Sequence, residues 1–260
     1  ATPGARYWHG WPSRRTRAAS DPAQGDVLMP LRLDQFIANA TGLSRKDAKR
    51  AIARGAVSVQ GRPCRDARHK VTEDAEVRLD GERLSLPGPR YLMMNKPAGV
   101  VSATTDSDHP TALDLLPSAL ARDLHIAGRL DRDTTGLLLL TSDGDWSHRV
   151  TSPRRDCPKT YQVTLAEPLS AEAAEQLARG VRLRNEDTPT RPAQVRITGD
   201  HRIELTISEG RYHQVKRMLA AVGNRVVALH RTRIGPIHLD PDLAPGQYRP
   251  LTEPEIRGIG

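Results

Sequence analysis

Aromatic residues are scarce in this chain: one Phe, three Trp and five Tyr among 260 residues. So low a count argues against a broad platform that stacks bases along a sheet, and leaves any base stacking to individual side chains. Cysteine is scarcer still. Cys64 and Cys157 are far apart and match neither a zinc-ligand spacing nor a disulfide framework, so a reduced, cytoplasmic compartment is expected. No apolar run approaches the ~18 residues of a membrane span, and the early residues show no apolar core of a secretory signal. A Gly-rich nucleotide-binding loop and internal repeats are also missing.

Positive charge, by contrast, is plentiful. The net charge is +8 and the isoelectric point near 9.9, which favours a polyanionic partner through steering and counterion release. Charge alone does not separate RNA from DNA or an acidic membrane. The length suits two modest domains. Residues 1–29, with Trp8, Trp11 and scattered Gly, Pro and Arg, have no helical or strand period. They are expected to be a disordered extension, with Met29 as the natural start.

Residues 30–86 read as a small module. Leu31, Leu33, Phe36 and Ile37 form an apolar helical face, with Gly42 as its stop. Ser44 N-caps a second helix in a capping-box arrangement with Asp47. That helix carries Arg45, Lys46, Lys49, Arg50 and Arg54, which Asp47 alone cannot balance by i,i+4 pairing. Val57-Ser58-Val59 alternates as a strand, Gln60-Gly61 turns, and Val71–Leu79 supplies more strand. Gly81–Arg90, with Pro87-Gly88-Pro89, is the expected linker. A second domain over 87–256 begins with the strand Tyr91–Met94. It contains two clear helices, Ala171–Arg179 and Gln214–Ala221, among more numerous strand-like runs. A mainly antiparallel mixed sheet flanked by helices, class α+β, is expected.

The most informative stretch is 128–144. Asp131 lies between Arg129 and Arg132, in a loop before four leucines that read as a short buried strand. Flanking guanidinium groups would hold the carboxylate ionised. A surface ion cluster ahead of a core strand explains the same spacing. Likewise Tyr161, in Lys159-Thr160-Tyr161, reads on spacing alone as a core strand tyrosine beside Val163 and Leu165. Gly210 to Met218 reads as a basic helix start. Asp131 and Asp133 could also imitate the paired carboxylates of a glycosyltransferase metal site or of a glycosidase.

Gly128-Arg129-Leu130-Asp131, continuing into Thr134-Thr135-Gly136-Leu137-Leu138, resembles the central motif of the pseudouridine synthases, in the rRNA-modifying branch named after RsuA. Asn95-Lys96-Pro97-Ala98-Gly99 resembles the opening motif of that catalytic domain, and Leu31–Phe36 with Ser44–Ala48 resembles the S4 RNA-binding domain. The resemblance implies Asp131 as the essential catalytic residue and Tyr161 as the aromatic face against the reacting base. A cation pairs with Asp131, at Lys216 or alternatively Arg217. It implies RNA contacts from Arg129, Arg211 and His213, and from Arg45, Lys46, Lys49 and Arg50 of the S4 helix. The implied reaction needs no metal, nucleotide or redox cofactor. The implied partner is ribosomal RNA within a pre-ribosomal particle, the enzyme acting as a cytoplasmic monomer. The surroundings of His109, Trp146, Lys159 and His213 are similar to the small-subunit member of the branch, whose target is uridine 516 of 16S rRNA; the alternatives are a large-subunit 23S rRNA synthase of the same branch and a non-catalytic S4 RNA-binding protein.

Overall fold

The computed structural model describes residues 30–72, 75–86, 88–152 and 157–260. The expectation for 1–29 therefore lies outside the described residues. Backbone contacts divide the chain into two compact units, one through Gly88 and one from Pro89.

The first unit runs β1 (Leu31–Arg32), α1 (Leu33–Thr41), α2 (Arg45–Ala53), β2 (Val57–Val59), β3 (Arg62–Pro63), β4 (Lys70–Val71), β5 (Val77–Leu79) and β6 (Glu82–Leu84). Leu31 belongs to β1, opposite Val71, and not to the first helix. The reason is local: Arg32 is extended, so the helix starts only at Leu33. Gly42 ends α1 in the left-handed conformation, φ +80°, which costs a residue without Cβ little. The Ser44 hydroxyl accepts the Asp47 backbone N–H, 3.1 Å, and caps α2. The expected strand Val71–Leu79 is in fact two short strands in different sheets, β4 with β1 and β5 with β2 and β6. β6 also falls inside the segment expected to be linker, because Asp80-Gly81 turns with both φ positive and folds Glu82–Leu84 back onto β5. Leu33, Phe36, Ile37, Ile52, Val57 and Val77 close this unit's core.

The second unit runs β7 (Tyr91–Lys96), a 3-10 turn (Ala112–Leu115), α3 (Ser118–Ala121), β8 (His125–Ala127), β9 (Thr135–Thr141), α4 (Gly144–Thr151), β10 (Lys159–Leu165), α5 (Ala171–Arg179), β11 (Gln194–Gly199), β12 (Arg202–Ile207), α6 (Gln214–Ala221), β13 (Val226–Ile234), β14 (Ile237–His238), β15 (Tyr248–Pro250) and α7 (Glu253–Arg257). One sheet has the order β11-β12-β10-β13-β9-β7-β15, with β14 on β13 and β8 on β9. Every pairing in it is antiparallel except β13 with β9, which is parallel. The class is α+β.

Leu137 to Leu140 are fully buried in β9 because both faces of that strand are covered. Leu137 and Leu139 pack with Trp146 and Val150 of α4, whereas Leu138 and Leu140 pack with Leu92, Met94 and Leu130. Each such side chain contributes roughly 1.5–3 kcal/mol, so β9 is a rigid base for the loop preceding it. Helix α4 is an element the periodicity did not announce. Asp143 caps it through the Trp146 N–H, 2.9 Å, and the Trp146 indole N–H reaches the Ile256 carbonyl, 3.0 Å. No described helix is long and apolar enough to cross a membrane.

Candidate active site

The loop from Gly128 to Thr134 is fixed carbonyl by carbonyl. Arg231 of β13 donates to Gly128 O, 2.8 Å, and to Arg129 O, 3.4 Å, while its Nε reaches Leu137 O, 2.9 Å. The Ser102 hydroxyl meets both backbone atoms of Leu130, donating to its carbonyl at 2.8 Å and accepting its N–H at 3.0 Å. Asp131 O accepts Thr134 N–H, 3.1 Å. Lys96 Nζ donates to Pro97 O, 2.9 Å, Arg132 O, 3.2 Å, and Thr134 O, 2.8 Å. Lys96 and Arg231 are 0 % and 2 % exposed, so both cations spend their donors on backbone in a dry setting. Burial pushes the Lys96 ammonium down to about 8, although the charges of Asp133 and Asp131 oppose the shift.

The loop and β9 also explain a glycine. A Cβ at Gly136 would lie 2.2 Å from the Arg231 carbonyl oxygen, and φ there is +103°. Only glycine lets β13 approach β9 closely enough for Arg231 to reach the loop.

Held this way, the Asp131 side chain is about one-third exposed, with Lys216 Nζ 3.2 Å from one oxygen and His213 Nε2 3.4 Å from the other. Lys216 also meets Asp133, at 2.7 and 3.0 Å. Burial alone would lower the Lys216 ammonium, but hydrogen bonds and charge from Asp133 and Asp131 outweigh it and hold it above the ordinary lysine value. The same hydrogen bond keeps Asp133 below the ordinary carboxylate range. A loop carboxylate facing a helix-borne ammonium, open to solvent on one side, can act as a nucleophile or a base while its charge remains compensated. Tyr161 lies half-buried at a bulge between Thr160 and Tyr161 in the β10–β13 pairing. Its ring packs against two clusters, one of which holds Leu130, the neighbour of Asp131.

Three expectations are corrected. The side chains that meet Asp131 are the Lys216 ammonium and the His213 ring, not the flanking Arg129 and Arg132, neither of which forms an ion pair with it. Their backbone carbonyls, not their side chains, tie that loop to Arg231 and Lys96. Arg217, the alternative cation, turns away from Asp131: it binds Glu186 at 2.5 Å and the carbonyls of Tyr212 and Arg184, at 3.1 and 2.8 Å. Arg211 is committed to Glu186, Glu209 and the carbonyls of Thr188 and Pro189, so few of its N–H groups remain for RNA. A fourth correction concerns α2. Asp34, which is 0 % exposed, takes Arg45 at 3.0 Å and Lys49 at 3.9 Å as well as Arg32, at 3.1 Å. Asp47 takes Arg50, and Asp80 takes Arg54. Burial pushes the Asp34 carboxyl up, yet hydrogen bonds and charge from Arg32 and Arg45 win and hold it below the usual carboxylate range. The helix is therefore balanced by acids brought in by the fold. Its cations are still half or more exposed.

Sequence reasoning missed Arg231, Ser102 and Tyr212, and gave Lys96 no role. A signal existed for Arg231. It follows Leu229 by two residues, so it lies on the same strand face as a core leucine.

Comparison with known proteins gives this geometry a family. The profile described as RNA pseudouridylate synthase matches residues 90–221, and the S4 domain matches residues 31–77. The chain belongs to the RNA pseudouridylate synthases. The synthase is 55% identical over 231 residues to the ribosomal small subunit pseudouridine synthase A of Yersinia pestis, covering 88% of this chain and 98% of that protein. It is 56% identical over 230 residues to the protein of the same name from Escherichia coli (strain K12), covering 88% of this chain and 100% of the other. A crystal structure titled as a pseudouridylate synthase superposes with TM-score 0.65 at 48% identity, covering 88% of this chain and all of that one. Membership makes the synthase an enzyme that converts uridine to pseudouridine in RNA.

Proposed function

We propose that the synthase isomerises one uridine of small-subunit ribosomal RNA, uridine 516 by the family's habit, with Asp131 as its catalytic carboxylate. The observation that carries this reading is the Asp131–Lys216 pair, 3.2 Å apart, on a loop clamped by Arg231, Ser102 and Lys96. The small-subunit target is supported by identity above half to relatives that carry that name.

The chemistry follows from the bonds. The N1–C1′ bond must break, the uracil must turn, and C5 must join C1′, while C5 loses a proton and N1 gains one. A stacked base cannot turn, so the uridine is flipped out, at a cost of a few kcal/mol that is smallest in a loop or bulge. The Asp131 carboxylate then either adds to C1′ or takes the C2′ proton. Both routes use the ionised form, with Lys216 compensating its charge. Tyr161 supplies an aromatic face that keeps the detached uracil in the pocket. His213, beside the carboxylate, and Arg129 contact the RNA. Arg45, Lys46, Lys49 and Arg50 of the S4 unit grip phosphates.

The test is pseudouridine mapping of both rRNAs from cells lacking the gene, complemented by wild type or Asp131→Asn. One small-subunit site should vanish, return with wild type and stay absent with Asp131→Asn. Loss of a large-subunit site alone would overturn the target. Full restoration by Asp131→Asn would overturn the catalytic assignment.

A further inference from the structure

Tyr212 is the one exposed Phe, Trp or Tyr among the described residues, 76 % exposed, and it lies one residue before a group in contact with Asp131. Its ring stacks on that of His213, with centroids 3.8 Å apart and planes 20° from parallel. His213 in turn adopts φ +47°, ψ +37°, a left-handed backbone, at the N-cap of α6, and makes no side-chain capping bond there. Such a conformation costs a non-glycine residue of order 1–3 kcal/mol. Neither an exposed tyrosine nor a strained histidine that does not cap its helix helps the fold. The backbone that carries them is nevertheless held firmly. Arg217 donates to the Tyr212 carbonyl at 3.1 Å, and the preceding Arg211 is pinned by Glu186 and Glu209.

We infer that Tyr212 and His213 form a stacking shelf for the nucleobase next to the flipped uridine in the RNA strand. The inference rests on the RNA substrate of the proposed function and assigns a subsite to it. Extruding one base leaves its neighbour with an unstacked face, and an aromatic side chain recovers roughly 1–3 kcal/mol per stacked base without reading its identity. The shelf begins with the His213 ring at Asp131 and continues outward by one ring spacing of 3.8 Å, comparable with the ~3.4 Å rise per nucleotide of one strand. One face of Tyr212 is taken by His213, and the other is open to solvent. A base in a chain that has placed its uridine at Asp131 meets that open face. Because the neighbours of Tyr212 are already fixed, little ordering entropy opposes binding.

The experiment uses the full chain and a small-subunit rRNA fragment around the mapped uridine, with 2-aminopurine replacing each neighbour of that uridine in turn. Wild type should quench the fluorescence of one neighbour on binding, and Tyr212→Phe should do the same. Tyr212→Ala should lose the quench and lower kcat/KM about 10-fold through KM, as ~1–3 kcal/mol of stacking implies. A retained quench with unchanged KM in Tyr212→Ala overturns the shelf, as does a Phe variant as poor as the Ala variant. Pseudouridine formation by wild type on the same fragment is scored in parallel. Failure of that control indicts the target and moves the measurement to the RNA that mapping identifies, whereas success with an indifferent Tyr212→Ala indicts the shelf alone.

Discussion

Lys96 shows how much of this site is decided by buried side chains that bond only to backbone. Protonated, its Nζ has three N–H bonds for the three carbonyls it meets; neutral, it has two and turns a lone pair on the third. With the ammonium pushed down to about 8, single-turnover rates at saturating enzyme should fall as pH rises through that value. Folding stability should move the other way. Between about 8 and the ordinary 10.5, the unfolded chain holds a proton that folded Lys96 has released. Stability therefore gains from this group as pH rises across that window. Lys96→Met should be slow and should lose both dependences, in rate assays and in urea unfolding. A wild-type rate that stays flat through the window would remove Lys96 from the account. Arg231→Met should leave the carbonyls of Gly128, Arg129 and Leu137 without their shared donor. Small displacements at a reacting group cost on the order of 10²-fold, so the single-turnover rate should fall by about that factor with RNA affinity intact. Arg231→Lys should recover part of the loss, since an ammonium can serve some of these acceptors but not the fork. An equal loss of rate and affinity would mean simple unfolding.

At the scale of elements, legibility followed the range of the interactions. Gly42, the Ser44 cap, the buried leucine run and helices α5 and α6 rest on residues within a turn or two, and all were readable from spacing. The long-range ion pairs and hydrogen bonds were not. Asp34 and Arg45 are 11 positions apart, Arg217 and Glu186 31, and Arg231 and Gly128 103, so no i,i+4 count reveals them. For the same reason the motif showed that Asp131 stood in a loop but not what held that loop. The consequence for α2 is testable. Arg45→Ala takes a partner from buried Asp34. Removing one member of a fully buried pair costs roughly 3–5 kcal/mol; here the cost is well below that, because Arg45 is itself half exposed and Arg32 and Lys49 remain. A clear drop in melting temperature is expected. Lys46→Ala and Arg50→Ala touch only the exposed face and should leave melting unchanged while weakening RNA binding. Equal melting for all three would mean that Asp34 does not depend on Arg45.

For the molecule as a whole, the sequence carries two compact units, each with its own core, and the basic helix and Asp131 belong to different ones. Contributions from independent sites add within roughly 0.3–0.5 kcal/mol. Replacing Lys46 and Arg50 together should reduce the slope of log affinity against log salt by up to ~2, about one unit for each phosphate no longer neutralised. Asp131→Asn should abolish isomerisation and leave affinity equal or higher, because it removes an anion from a surface that meets phosphates and leaves Lys216 less compensated. The combined variant should then show the binding loss of the first change and the null rate of the second, with no extra term. Fluorescence anisotropy with a labelled rRNA fragment over a salt series measures the affinities of all three. If the α2 changes instead cost much more affinity with Asp131 intact than with Asn in its place, RNA engagement at the carboxylate and at the basic helix is one coupled event. The division of labour between grip and chemistry would then be wrong.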